Sequence, residues 1–182
     1  MSTTRDRALD AAVELVGEQG IRALTHARVD ERASLPKGST SNWFRTRDAL
    51  VAGVTTWIAE TERAEFAAGG ALEITTPDEL IDALSGFIVA QTEVFAPRTR
   101  ARYAMFLEGR RDPTLLAPLL EQRGLYVEWT TALLGHIGAA HPAEAARMLM
   151  AAGDGLVFHR LTVDPDAEVR PVVERAVRAC LD

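Results

Sequence analysis

At 182 residues, 47% of them hydrophobic, the chain carries enough apolar material for a sizeable core, which excludes disorder throughout. No apolar run is long enough to span a bilayer, the start lacks the apolar stretch of a secretory signal, and a single cysteine, Cys180, excludes an internal disulfide or a cysteine-rich metal site, so a reducing cytoplasm is the expected location. The formal net charge of −6 disfavours nucleic acid only when taken whole: residues 1–50 hold eight Lys/Arg against seven acids and residues 51–182 hold twelve against nineteen, which confines any phosphate-binding face to the N-terminal part.

Thr3 or Thr4 caps a first helix that runs to about Gln19, with Ala8, Ala11, Ala12, Leu15 and Val16 at helical spacing. Gly20 stops it. Thr25 caps a short second helix whose apolar side is Val29 and Ala33, and Ser34-Leu35-Pro36 breaks the chain. A third helix of about two turns follows, from Lys37 to Phe44. Thr46 caps a long fourth helix ending around Ala68, at Gly69-Gly70. Thr76-Pro77-Asp78-Glu79 starts a fifth helix, which Pro97 ends. A shorter helix is expected around Arg100–Arg110 and a long one from Asp112-Pro113-Thr114 to about Ile137, with Pro118 and Gly124 as points of breakage or bending. The last two helices are expected at Pro142–Leu161 and Asp166–Leu181, with Pro171 able to delay the start of the final one. No segment alternates like a strand, so the expected class is all-α with about nine helices.

Three short helices before a long one, the second and third separated by a few residues, describe a helix-turn-helix whose third helix enters the major groove of DNA. Lys37, Ser39, Thr40, Ser41 and Asn42 supply short donors and acceptors there, and Gly38 allows close backbone approach. Trp43 offers an indole N–H at the groove edge, Phe44 turns inward, and the helix N-terminus can accept a phosphate oxygen. Thr25, Arg28 and Arg47 are further phosphate ligands by position. The other reading of the same pattern is a solvated connector with surface charges.

The stretch from Ala8 to Leu50, ALDAAVELVGEQGIRALTHARVDERASLPKGSTSNWFRTRDAL, resembles the N-terminal domain of the TetR family of transcriptional regulators. Gly20, Thr25, Val29, Ala33, Gly38, Ser39, Phe44, Arg47 and Leu50 stand in that pattern's roles. Departures are Thr40 for a packing Leu or Ile, Ser41 for a phosphate-contacting Tyr, Trp43 for His or Tyr, Ser34 for the Gly of the turn, and Asp30 for a common Ala. The resemblance implies a DNA-binding domain over residues 1–48 and a helical effector-binding and dimerisation domain over 49–182. It further implies a homodimer on a palindromic operator, most simply a repressor released by a small molecule that repositions the fourth helix and the two reading heads.

For the dimer, the eighth helix supplies Ala145, Ala146, Leu149, Ala152, Gly153 and Leu156, and the ninth a stripe of Val169, Val172, Val173, Ala176, Val177 and Cys180. The alternative for these residues is an intrachain core. For an effector pocket the candidates are Phe87, Gln91, Phe95, Tyr103, Phe106, Leu107, Trp129, Leu133, Phe158 and His159, with plain core packing as the alternative for each. His26, His136, His141 and His159 form no metal-binding pattern, Lys37-Gly38-Ser39 lacks the rest of a phosphate loop, and Cys180 sits on an apolar stripe, so neither an enzyme, a metal nor a cofactor is expected. The competing function is a helical homodimer that serves protein association with weak or no DNA binding.

Overall fold

A computed structural model of the chain describes residues 3–69, 74–109 and 113–181. All regular structure among them is helical: α1 (Thr4–Gln19), a single 3-10 turn (Ile21–Ala23), α2 (His26–Arg32), α3 (Ser39–Trp43), α4 (Arg47–Gly69), α5 (Pro77–Thr92), α6 (Ala96–Glu108), α7 (Pro113–His136), α8 (Pro142–Thr162) and α9 (Arg170–Ala179). The all-α expectation therefore holds. Gly70, Arg110 and Asp112, expected at helix ends, lie outside the described residues. No single helix is long and apolar enough to cross a membrane among the described residues.

Local chemistry explains most boundaries. Thr3 and Asp6 exchange hydrogen bonds at the start of α1, Thr3 Oγ1 accepting from the Asp6 N–H at 3.2 Å and Asp6 Oδ2 from the Thr3 N–H at 2.9 Å. Thr76 and Glu79 repeat that capping box on α5, with Pro77 in the first turn. Several expected boundaries move, among them the start of the last helix, at Arg170 instead of Asp166 with Pro171 in its first turn. Pro97 does not end α5, which stops at Thr92; it lies in the first turn of α6, where its missing N–H leaves no helical bond unmade. The third helix begins at Ser39, because Gly38 takes a left-handed conformation (φ 92°) that ends the preceding turn. Pro118 is absorbed inside α7, so neither it nor Gly124 breaks that helix.

The chain divides into two compact units, Met1–Ala68 with Pro97–Gln122, and Gly69–Ala96 with Arg123–Asp182. In the first, Leu9, Val16, Leu24, Val29, Leu50, Ile58, Met105 and Leu119 are fully buried in one cluster. The expected boundary between residues 48 and 49 does not coincide with this division, since Leu50, Val54 and Ile58 of α4 share a core with α1. Gly53 is required there: a Cβ at that position would stand 2.4 Å from the Phe44 ring. Trp57 Nε1 donates to Asp10 Oδ1 at 2.8 Å, tying α4 to α1.

The same unit buries a charge. Glu62 of α4 is 2% exposed and takes a hydrogen bond from Arg102 Nη1 at 2.6 Å, with Arg98 Nε at 3.7 Å. Burial pushes the Glu62 carboxyl above the usual carboxylate range, and the two guanidinium groups oppose the rise. Arg102→Met should therefore cost about 3 kcal/mol near neutral pH, by leaving a buried carboxylate short of its nearest partner. With a folded pKa above the unfolded one, Glu62 is best accommodated when protonated. The variant's deficit in urea unfolding should accordingly shrink as pH is lowered through that raised pKa. A deficit independent of pH would show that the loss comes from packing alone.

In the second unit, α9 lays Val169, Val173, Val177 and Cys180 into a core against α5 and α8. Arg178 pairs with Asp78 at 2.6 Å and Arg170 pairs with Asp82, both joining α9 to α5. Arg160 of α8, 8% exposed, donates to Thr92 Oγ1 at 2.9 Å and to Glu93 Oε1 at 3.0 Å, and also to the Ala167 carbonyl. It thus holds the end of α5 to the turn before α9. The Cys180 thiol donates to the Ala145 carbonyl at 3.5 Å, and burial pushes its pKa up, which leaves it protonated and unreactive.

Candidate nucleic-acid interface

Helices α2 and α3 pack on α1 and on each other. Thr25 Oγ1 caps α2 by accepting from the Arg28 N–H at 3.4 Å. The far end closes as a Schellman turn, with the Leu35 N–H on the Asp30 carbonyl at 2.8 Å and the Ser34 N–H on that of Glu31 at 3.1 Å. Arg7 adds a guanidinium bond to the Ala33 carbonyl at 2.7 Å. The turn requires a left-handed residue, and Ser34 supplies it at φ 51°, a conformation that strains any side chain with a Cβ. Ser34→Gly is expected to raise stability by roughly 1 kcal/mol, seen as a thermal midpoint a few degrees higher. A lower midpoint would mean that the serine relieves more strain than it carries.

Asp30 is 4% exposed and faces the start of α3. Its Oδ2 accepts the Gly38 N–H at 2.7 Å, and its Oδ1 accepts both the Thr40 N–H at 2.8 Å and the Thr40 hydroxyl at 2.5 Å. Burial pushes the carboxyl up, but the bonds from Thr40 and Gly38 outweigh it and hold Asp30 below the usual carboxylate range. A depressed folded pKa means that the stabilisation is present above the unfolded pKa and lost only as pH falls through the folded one. At neutral pH Asp30 is therefore ionised and accepts all three bonds. The C-terminal end of α3 is held by Phe44, which is buried, and by His26, whose Nε2 donates to the Phe44 carbonyl at 2.6 Å.

These anchors decide what α3 presents. Thr40, expected on the reading surface, is fully buried with its hydroxyl committed to Asp30 and makes no contact with DNA from that position. The amides of Gly38, Ser39 and Thr40 are also engaged, to Asp30, Pro36 and Asp30 respectively, which takes these three donors from the expected phosphate seat at the helix N-terminus. Lys37, Ser41, Asn42 and Trp43 are exposed, Trp43 at 56%, while Gly38 and Ser39 are half-buried. Ser39 and Ser41 donate their hydroxyl protons to the Pro36 and Gly38 carbonyls at 2.7 and 2.9 Å, and so offer DNA an acceptor oxygen. Thr25, Arg28 and Arg47 are exposed; Arg28 bonds Gln19, and Arg47 donates to the Ile21 carbonyl at 3.0 Å. Arg45, exposed between α3 and α4, is a cation that sequence spacing did not single out. Arg32, by contrast, is neutralised by Glu14 and Glu18 at 3.1 and 2.6 Å.

The residues expected to build a dimer mostly face inward. Ala145, Leu149, Leu156, Val169, Val173 and Val177 are all buried within the single chain, and Ala152 and Gly153 are half-buried. Val169, Val173 and Val177 form one face of an intrachain contact with α5 and α8, while Val172 of the same stripe is exposed. Among the exposed residues of α8, Met148, Ala151, Gly155, Phe158 and Thr162 form a strip at steps of three and four. Phe158 and His159, expected in an effector pocket, lie exposed on α8, Phe158 at 54%. Leu107 is 72% exposed. Of the remaining effector candidates, Tyr103 and Phe106 belong to the first compact unit and are half-buried. Phe87, Gln91, Phe95, Trp129 and Leu133 belong to the second, where Gln91 is 3% exposed and Phe87 meets Tyr126 edge-on at 6.4 Å between ring centroids.

Comparison with known proteins places this architecture. Residues 75–182 match the family model described as the tetracyclin repressor-like C-terminal domain. The HTH-type transcriptional regulator BetI of Burkholderia thailandensis is 26% identical over 153 residues, which cover 84% of this chain and 78% of that protein. Among solved structures, a transcriptional regulator from Rhodococcus sp. Rha1 superposes with a TM-score of 0.83 at 17% identity, covering 98% of this chain and 96% of the other. The multidrug binding protein EbrR, solved in complex with ethidium, gives a TM-score of 0.68 at 25% identity, covering 97% and 96%. Because the family's C-terminal domain accounts for more than half of its length, the chain belongs to the TetR family, as a dimerising, ligand-responsive, DNA-binding regulator of transcription rather than an enzyme.

Proposed function

We propose that the chain is a repressor, active in the cytoplasm, that binds a palindromic operator as a homodimer and leaves it when a small molecule binds. The DNA-binding role belongs to residues 1–48, and effector binding and dimerisation to residues 49–182. The observation that carries this reading is the polarity of α3: Thr40 and Phe44 hold it to the core, while Ser41, Asn42 and Trp43 are turned to solvent among Lys37, Arg45 and Arg47. In that arrangement Asn42 reads a base edge, and Thr25, Arg28, Lys37, Arg45 and Arg47 neutralise phosphates.

The dimer face is the exposed strip of α8, Met148, Ala151, Gly155 and Phe158. Gly155 supports this in a specific way. A glycine inside a helix costs about 1 kcal/mol relative to alanine, and, its own helix backbone aside, no described residue lies within 4 Å of a Cβ built there, as also holds at Gly86, Gly124 and Gly153; Gly155 differs from Gly86 and Gly124 in lying on this strip. A close-approaching partner helix supplies the missing reason. The effector site draws on Phe87, 44% exposed and paired edge-on with Tyr126, together with Trp129, Leu133 and the buried amide of Gln91. That mix suits a largely apolar, aromatic small molecule with a single polar anchor, and EbrR, bound to ethidium, shows that fold relatives accept such a shape. Release then follows from differential affinity of the effector for two states of the dimer.

Selection of bound sequences from random duplexes tests the reading directly. A palindromic consensus whose affinity falls steeply with salt is the expected result. An intact dimer that enriches no duplex, even at low salt, would overturn it in favour of a protein-association module.

A further inference from the structure

We infer that Asp30 is the positioning residue of the reading helix, a polar latch that sets α3 on α2 through Thr40 and Gly38 and keeps the helix N-terminus for the protein's own carboxylate. Two departures from the family pattern, ten residues apart, account for each other. Where an apolar residue is usual, Thr40 is fully buried; where alanine is usual, Asp30 lies beneath it with three hydrogen bonds of 2.5–2.8 Å. Either polar group buried alone would be unfavourable, because a buried donor or carboxylate without a partner keeps its desolvation penalty. Together they form a charge-assisted contact with a directional geometry that an apolar contact lacks.

The consequence for recognition rests on the DNA-binding reading above. The amides of Gly38, Ser39 and Thr40 are already engaged, so none of these three is left for a phosphate oxygen. Phosphate contacts fall to side chains, and the latch acts on base reading by fixing where Ser41 and Asn42 stand. It is a specificity device rather than an affinity device.

Thr40→Val keeps the side-chain shape and removes the hydroxyl, whereas Thr40→Ser keeps the hydroxyl. Against a duplex selected with the wild-type protein, Thr40→Val should bind about tenfold more weakly and Thr40→Ser within about twofold, the loss of one hydrogen bond to a charged group. Affinity for a scrambled duplex and the salt slope should be unchanged in both, which a general loss of folding would not leave intact. Equal losses in the two variants, or full specific affinity in Thr40→Val, would overturn the proposal. Amide hydrogen exchange of the free protein checks the latch without DNA: the Gly38 and Thr40 amides should exchange at least about tenfold faster in Asp30→Ala. Exchange at the wild-type rate in that variant would remove the latch. If the wild type selects no duplex, the DNA-binding reading fails by itself, and this exchange measurement still decides whether the latch exists.

Discussion

Gly155→Arg is expected to convert the dimer into a monomer at micromolar concentration, with a dimer dissociation constant raised by at least about 100-fold, on the order of 3 kcal/mol. The protomer has room for the change, since beyond its own helix backbone no described residue lies within 4 Å of a Cβ built at this position and the residue is exposed on α8. Arginine is also a better helix former than glycine, so the monomer should melt no lower than the wild-type protomer. In a two-fold interface the same residue appears on both sides, which places two guanidinium groups where two helices approach. Operator affinity should fall by about 100-fold or more in parallel, because a single reading head buries too little DNA surface for tight binding. Sedimentation equilibrium decides the matter: a variant that still weighs as a dimer moves the interface off this strip of α8. Phe158→Ser should act in the same direction but less strongly, through lost apolar burial alone.

Arg47→Ala and Asn42→Ala are expected to fail in different ways. Arg47 donates one guanidinium N–H to the Ile21 carbonyl at 3.0 Å, which pins the head group at the start of α4 and leaves its other donors for a phosphate. Its loss should weaken every duplex by a similar factor, about tenfold at moderate salt, and reduce the slope of log affinity against log salt by about one. Arg47→Lys should restore the slope. Asn42 is exposed one position before Trp43, and its amide matches the paired donor and acceptor of adenine. Asn42→Ala should leave the salt slope alone and remove about 1–3 kcal/mol of discrimination at one base pair of each half-site. Quantitative binding to the selected duplex and its single-base variants separates the two patterns. Identical profiles for the two variants would mean that α3 does not read bases through Asn42.

Much of the helix-turn-helix was legible in the chain because its determinants are local. Caps at Thr3, Thr25, Thr46 and Thr76 act within three residues of where they sit. The inward stripe of α1, Ala8, Ala12, Leu15 and Val16, is a repeat that any partner surface would select. The Asp30–Thr40 latch was not legible in the same way. Each residue taken alone is a loss against the family pattern, and only the Schellman turn through Ser34 brings them to 2.5 Å. The roles of His26 and Arg45 were not legible, because nothing in their spacing distinguishes a helix staple or an exposed cation from an ordinary polar surface residue.

The last two helices draw the line most clearly. Composition and periodicity determined that α8 and α9 are helices and that α9 has one apolar face, because those properties depend on neighbours three and four residues away. Which surface meets that face depends on the fold as a whole. Small and apolar residues occur all round α8, so its pattern suited an outward Ala145–Leu156 face as well as the inward one the fold adopts, and α5 and α8 cover Val169, Val173 and Val177, which a second copy was expected to cover. Tertiary packing alone decided that Met148, Ala151, Gly155 and Phe158 remain exposed. It did so because burial is non-directional: a periodic stripe specifies that a face must leave water, and only long-range packing selects what covers it.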